Sequence, residues 1–188
     1  MSTNIFPIHL TKSRVRRDLL TLFFLNPHQA YYVRELERRL NFSVGTLARE
    51  LKSLSGGGLL AREARGREVF YRLNKAYPLF HEVKGIIEKT TGMTQRLSEG
   101  LKKQKTINKA YLYGSFAKGK MGPESDIDLL LVGKETDEVR ALIRQLEKRF
   151  GRTINTTTYS LDEFNDKKQN KAEFLYTVMK NNPIVVKF

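Results

Sequence analysis

The stretch from Tyr111 to Gly133, YLYGSFAKGKMGPESDIDLLLVG, constrains this chain more than any other. It sets a Gly-Ser pair at the end of one apolar strand and two aspartates, Asp126 and Asp128, at the start of the next. Alternate residues of a strand point the same way, so both carboxylates share one face while Ile127 takes the other. Such a pair suits a hard divalent cation, which takes oxygen ligands and, in phosphoryl or nucleotidyl transfer, clamps the oxygens of an in-line displacement. Gly114 has no side chain to keep backbone N–H groups away from a triphosphate, and Ser115 adds a hydroxyl donor. The plainer reading is turn chemistry, since Asp-x-Asp beside Pro123 and Ser125 also suits a solvated turn. A turn, however, does not require two carboxylates on one strand face. Lys118 reads equally as a phosphate contact or a solvated helix lysine.

Gly114-Ser115, a spacer of about ten residues, and Ser125-Asp126-Ile127-Asp128 followed by Leu129-Leu130-Leu131-Val132 together resemble the minimal nucleotidyltransferase domain of the DNA polymerase β-like superfamily. The resemblance implies a nucleoside triphosphate at Gly114 and Ser115, with Lys118 beside them, and Mg²⁺ or Mn²⁺ on the catalytic pair Asp126 and Asp128. It also implies a third carboxylate on the next strand, completing a site for two cations. The matching text there is Thr153-Ile154-Asn155-Thr156-Thr157, with Asn155 where an aspartate is expected. An amide oxygen can ligate magnesium, but it brings no charge, cannot act as a general base and leaves a second metal weakly held. Asp162 or Glu163 could fill the role. Leu161-Asp162-Glu163-Phe164 reads better as a helix start, with acidic residues stabilising the N-terminal dipole.

At 188 residues the chain can form one domain or two small ones. Its net charge of +14 calls for a polyanionic partner, nucleic acid first and an anionic membrane surface second. No apolar stretch approaches transmembrane length, and MSTNIFPIHLTKSRVRR lacks the apolar core and cleavage site of a signal peptide, so a cytoplasmic protein without a membrane partner is expected. With no cysteine and three scattered histidines there are no disulfides, no thiolate sites and no zinc constellation.

Residues 1–80 carry 14 Lys/Arg against 6 Asp/Glu. From Ser13 to Leu25, Val15, Leu19, Leu20, Leu22 and Phe23 recur at helical spacing, with Arg14, Arg16 and Arg17 opposite and Asn26-Pro27 as the stop. A second helix is expected near Val33–Leu40, then a turn at Asn41-Phe42, then a third helix opening at Ser43 with Val44, Leu47, Leu51 and Leu54 as its buried stripe. Gly56-Gly57-Gly58 leads into two β-runs, Leu59–Glu63 and Val69–Leu73, joined by the basic turn Arg65-Gly66-Arg67. The stretch from Ser13 to Asn74 resembles the ArsR/MarR-like winged-helix regulators, in which the third helix enters the major groove and the wing touches backbone or minor groove. By that resemblance Ser43, Gly45, Thr46 and Arg49 meet base edges, while Lys52, Arg62, Arg65 and Arg67 meet phosphates. The competing readings are solvated faces, or a winged helix that binds protein.

Between these modules Leu79, Val83, Ile86, Ile87, Met93, Leu97 and Leu101 keep helical spacing, a stripe that needs a partner within the chain or on a second copy. Winged-helix regulators pair to match two half-sites, so a homodimer through this segment is expected. Beyond Gly133 the sequence predicts a surface helix over Glu135–Phe150, a strand over Arg152–Tyr159, a helix near Lys171–Lys180 and a last apolar run, Ile184–Phe188. The expected fold is α+β: a winged helix-turn-helix over 1–75, a helical connector over 76–106 and a small mixed-sheet nucleotidyltransferase fold over 107–188. Three functions fit it. The first is a Mg-dependent transferase passing a nucleotidyl group to an acceptor hydroxyl, delivered to double-stranded DNA by the winged helix. The second is a transcriptional regulator that binds nucleotide or metal without turnover. The third, by analogy with similar minimal transferases, is an antitoxin that modifies a toxin protein.

Overall fold

The computed structural model describes residues 13–90, 92–122 and 125–188. Residues 1–12, which open the stretch read as lacking a leader, and Pro123, read as part of a turn, lie outside the described residues. The chain divides into two compact units, Met1–Gly92 and Met93–Phe188.

In the first unit, α1 (Arg14–Leu25) opens at Ser13, whose hydroxyl accepts the Arg16 N–H at 3.2 Å. Leu19, Leu22 and Phe23 fall on its buried side, and Asn26 ends it ahead of Pro27. After β1 (Ala30–Tyr32), α2 (Val33–Leu40) stops at Asn41 in the left-handed conformation that asparagine tolerates. In α3 (Val44–Gly56), Leu47, Leu51 and Leu54 are buried, and Ser43 caps the first turn. Glu50 ties this helix to the start of α1, accepting from Ser13 Oγ at 2.8 Å and Arg16 Nε at 2.7 Å.

β2 (Leu60–Arg65) and β3 (Glu68–Leu73) turn through Gly66-Arg67, and Gly66 has the positive φ that a two-residue hairpin loop favours. β1 pairs with the other edge of β3, giving an antiparallel sheet in the order β1-β3-β2. That strand is absent from the sequence reading, because three residues are too few to display an alternation.

The stretch read as a connector over 76–106 is shared between the two units. Its first helix, α4 (Phe80–Thr90), belongs to the first unit, where the Phe80 ring lies 5.6 Å from that of Phe24. Its second, α5 (Gly92–Lys102), opens the second unit, where Gly100 lies so close to Leu142 that a Cβ there would overlap it. Leu97 and Leu101 are buried inside the chain, so the stripe expected to seek a second copy finds much of its cover at home.

The second unit continues with β4 (Ile107–Tyr113), α6 (Gly114–Ala117), β5 (Ile127–Gly133), α7 (Asp137–Phe150), β6 (Ile154–Tyr159), α8 (Leu161–Gln169), α9 (Glu173–Lys180) and β7 (Ile184–Lys187). Its sheet runs β6-β5-β4-β7, with β5 and β6 parallel and the other pairs antiparallel. This is the mixed sheet expected. β5 lies inside it, and Leu129, Leu130, Leu131 and Val132 are buried on both faces, as an unbroken apolar run requires. Leu130 and Val132 pack with Phe164 of α8 and with Leu175 and Val178 of α9, flanked by Tyr111, Tyr113 and Tyr159. Asp126 and Asp128 are in step with Leu130 and Val132, so they stand at the end of the face that α8 and α9 cover. Ile127, Leu129 and Leu131 point to the opposite face.

Leu129→Ala removes a fully buried side chain from the inner strand and should destabilise the second unit by about 2–5 kcal/mol. Urea unfolding followed by circular dichroism checks this against Leu161→Ala, at a 40% exposed position, which should shift stability by about 0.5 kcal/mol or less.

Candidate active site

The antiparallel pairing of β4 and β5 sets Tyr113 opposite Asp128. The next residue, Gly114, has a positive φ, and a Cβ built on it would overlap Asp128 Oδ2. Glycine is therefore required here for two reasons: the turn into α6 needs its conformational freedom, and the carboxylate occupies the space a side chain would take. The sequence suggests an opening for triphosphate. On the side where a Cβ would stand, Gly114 meets Asp128.

The start of β5 is fixed from the other side. Ile127 N–H donates to Thr153 O at 2.9 Å, Ser125 Oγ accepts the Gly122 N–H at 2.8 Å, and an Arg152 guanidinium N–H reaches Ser125 O at 3.4 Å. The parallel register sets Asn155 against Asp128. Asn155 Nδ2 donates to Asp126 Oδ2 at 3.1 Å. Asn155 thus sits beside the paired aspartates, with its amide nitrogen on a carboxylate, where the sequence reading cast it as a metal ligand. Two residues along β6, Thr157 Oγ1 lies 3.3 Å from the Tyr113 hydroxyl.

Burial, and after it the neighbouring Asp126 carboxylate, hold the Asp128 carboxyl above its ordinary value. Two carboxylates crowded in this way favour a proton or a cation between them. The pair, Asp126 exposed and Asp128 partly buried beside Gly114, offers the carboxylate oxygens that one divalent cation takes. Among the described residues no group of three or more His, Asp or Glu gathers as a metal cluster. Glu163, weighed as the missing carboxylate, is engaged in a capping box: its Oε2 accepts the Ser160 N–H at 2.8 Å, and Ser160 Oγ accepts the Glu163 N–H at 3.1 Å.

Ser115 lies in α6, and exposed Lys118 closes that helix. Lys118 also lines a cavity of about 150 Å³ with Tyr113, Gly114, Phe174, Thr177, Val178 and Asn181. Most of these residues escape a reading of the sequence. Tyr113 could have been found, since it is in step with Asp128 once the hairpin register is known. The α9 residues, some 60 positions on, carry no local signal.

On the first unit, Gly45, Arg49, Lys52, Arg62 and Arg67 are exposed. The Ser43 and Thr46 hydroxyls meet each other at 2.9 Å, and Ser43 Oγ caps the helix. The Arg65 guanidinium is bidentate on Glu63, at 2.9 and 3.1 Å, and lies 4.9 Å from the Phe70 ring centroid. Among the described residues no helix is long and apolar enough to cross a membrane.

Residues 95–187 match the family described as polymerase beta, nucleotidyltransferase. The second unit carries a nucleotidyltransferase-like domain. Its match begins within α5, ahead of the boundary at 107 read from the sequence. The chain is also 42% identical over 62 residues to a protein of Methanocaldococcus jannaschii that is provisionally named a protein adenylyltransferase. That stretch is 32% of this chain and 62% of the archaeal protein, so the chain spans about three-fifths of that relative's length.

Asp126→Asn removes one of the two causes that raise the Asp128 carboxyl. Its pKa should fall toward, but not reach, the ordinary carboxylate value, because burial remains; carboxyl NMR titration measures this. Because the folded value lies above the unfolded one, the Asp128 contribution to stability is complete below the unfolded value and is lost as pH rises through the folded one. The same substitution should therefore lessen the loss of stability across that window.

Proposed function

We propose that the second unit is an adenylyltransferase that uses ATP and a divalent cation to modify a hydroxyl on a protein acceptor. The observation that carries this reading is the Asp126 and Asp128 pair packed against Gly114, inside a stretch similar to nucleotidyltransferases. The name of the archaeal relative supports adenylyl as the group and protein as the acceptor. A bound Mg²⁺ would supply charge neutralisation on the reacting phosphate oxygens. Asp126 and Asp128 would hold it, while Ser115 and Lys118 offer donors to the phosphates. In the transfer the acceptor oxygen bonds to the α-phosphorus, the bond to pyrophosphate breaks, and the acceptor proton passes to solvent. Asn155 cannot take that proton.

A second reading keeps binding and omits turnover. Asn155 favours it, since a neutral amide stands beside the aspartates where a third charge would strengthen a second cation site. In that case the chain is a regulator whose nucleotide changes its affinity for DNA. For either reading we take the first unit as a winged helix that binds double-stranded DNA, with a second copy matching a second half-site. The α2–α3 pair followed by a basic hairpin supports this, as does the positive charge of residues 1–80. Gly45 and Arg49 of α3 are the exposed candidates for base edges. A toxin protein would be one form of the acceptor.

Incubation with α-labelled ATP, Mg²⁺ and proteins encoded beside this chain should label one of them. Asp126→Asn/Asp128→Asn should lower that label by about 100-fold or more. If ATP binds in calorimetry and no acceptor is labelled above that control, the regulator reading replaces the transferase. For the first unit, log affinity for duplex DNA should fall linearly with log salt, and Arg67→Ala should reduce the slope by about 1. Arg65→Ala should change it less, because Glu63 already neutralises that guanidinium. A salt-independent interaction overturns DNA binding.

A further inference from the structure

The cavity beside Gly114 has no role in the transfer chemistry, yet it touches the same residue that the Asp128 carboxylate touches. At about 150 Å³ it matches the size of a cavity known to hold one benzene ring. Its walls are aromatic and aliphatic. Tyr113 and Phe174 meet edge to face with centroids 5.6 Å apart, and Val178 is buried behind them. Phe174 is 39% exposed, so its ring is available at the mouth to a flat ligand.

Lys118 and Asn181 add polar groups to the lining. Lys118 follows Gly114-Ser115 at the end of α6, so it belongs to the phosphate turn and the cavity alike. Asn181 Nδ2 donates one hydrogen to Thr177 O at 2.8 Å, which fixes the orientation of the amide and leaves Oδ1 as an acceptor beside the second Nδ2 hydrogen as a donor. That acceptor–donor pair fits the 6-amino group and N7 of adenine together, whereas guanine presents only acceptors, O6 and N7, on the same edge.

We propose that this cavity is the nucleobase subsite: adenine stacks on Phe174 with its amino group toward Asn181, and the triphosphate runs past Gly114 and Lys118 to the paired aspartates. The inference rests on the nucleotidyl-transfer reading and names the part of the substrate that reading leaves unassigned. It also gives a reason for an aromatic residue at position 113, where the strand ends at the phosphate turn.

The test uses calorimetry on the full chain with Mg²⁺ and three probes: ATP, GTP and inorganic tripolyphosphate, which has the phosphates and no base. ATP should bind roughly tenfold or more tightly than tripolyphosphate, and GTP should bind more weakly than ATP. Phe174→Ala, which removes the stacking ring, and Thr177→Phe, which fills the cavity from an exposed position, should bring ATP down to the tripolyphosphate level. Neither should change tripolyphosphate affinity, and this guards against a folding defect. Asn181→Leu should abolish the preference for ATP over GTP. ATP binding no tighter than tripolyphosphate, or ATP binding unchanged in both cavity variants, overturns the subsite while leaving phosphate binding intact. Equal ATP and GTP affinities in the natural chain overturn the role of Asn181. If neither ATP nor tripolyphosphate binds, the transfer reading falls and the subsite with it.

Discussion

Gly114 lies against the Asp128 carboxylate because β4 and β5 pair in one register, with Tyr113 opposite Asp128. A slip of one residue would turn both aspartates to the other face of the sheet and bring Ile127 toward α8 and α9. The apolar run behind the aspartates guards against that slip. Leu130 and Val132 must meet Phe164, Leu175 and Val178, and Leu129 and Leu131 need cover on the other side. Packing of the inner strand is thus what aims the carboxylates, and Gly114 is the residue that lets the aimed carboxylate fit.

The electrostatics of the site follow from its place at the end of that strand. Asp128 is half-buried, so desolvation first, and then the neighbouring Asp126 carboxylate, raise its pKa. Asn155 offsets part of the strain by donating a hydrogen bond to Asp126. An aspartate at 155 would instead set a third negative charge beside the pair and make the site dependent on more than one cation. The amide therefore makes the two carboxylates easier to hold together without metal, and it limits the charge with which a second cation could be bound.

Much of the fold can be read from local pattern. α2 spans Val33–Leu40 as expected, and α1 and α3 open at or beside serines that cap them. The β4–α6–β5 core of the site is legible for the same reason, since its turn, carboxylates and apolar run lie within 23 consecutive residues. What escapes is short or distant. β1 has three residues and exists because β3 offers it an edge. Within one continuous apolar stripe Gly85 and Gly92 are both poor helix formers, yet Gly85 lies inside α4 while Gly92 opens α5, and the separate partners of the two helices decide between them. α8 shows as a helix start at Leu161–Phe164 without its full length. The wall contributed by α9 depends on how the chain returns through β7 to the free edge of β4, and nothing near Phe174 in sequence announces that return.

That return also links the two halves of the site. β7 pairs with β4, and α9 immediately precedes β7, so the helix that supplies Phe174, Thr177 and Val178 is held next to the strand that ends in Tyr113 and Gly114. Lys187 strengthens the pairing from the far end: its ammonium donates to Leu101 O at 2.8 Å and Gln104 O at 2.6 Å, carbonyls at the C-terminal end of α5, where a cation is favoured. Partial burial lowers the pKa of that amine, and the two carbonyls compensate for its lost hydration. One edge strand thereby connects α5, β4 and α9. The carboxylates are aimed by the inner strand and the cavity wall by the edge strand, and β4, which pairs with both, carries Gly114 at the point where the two meet.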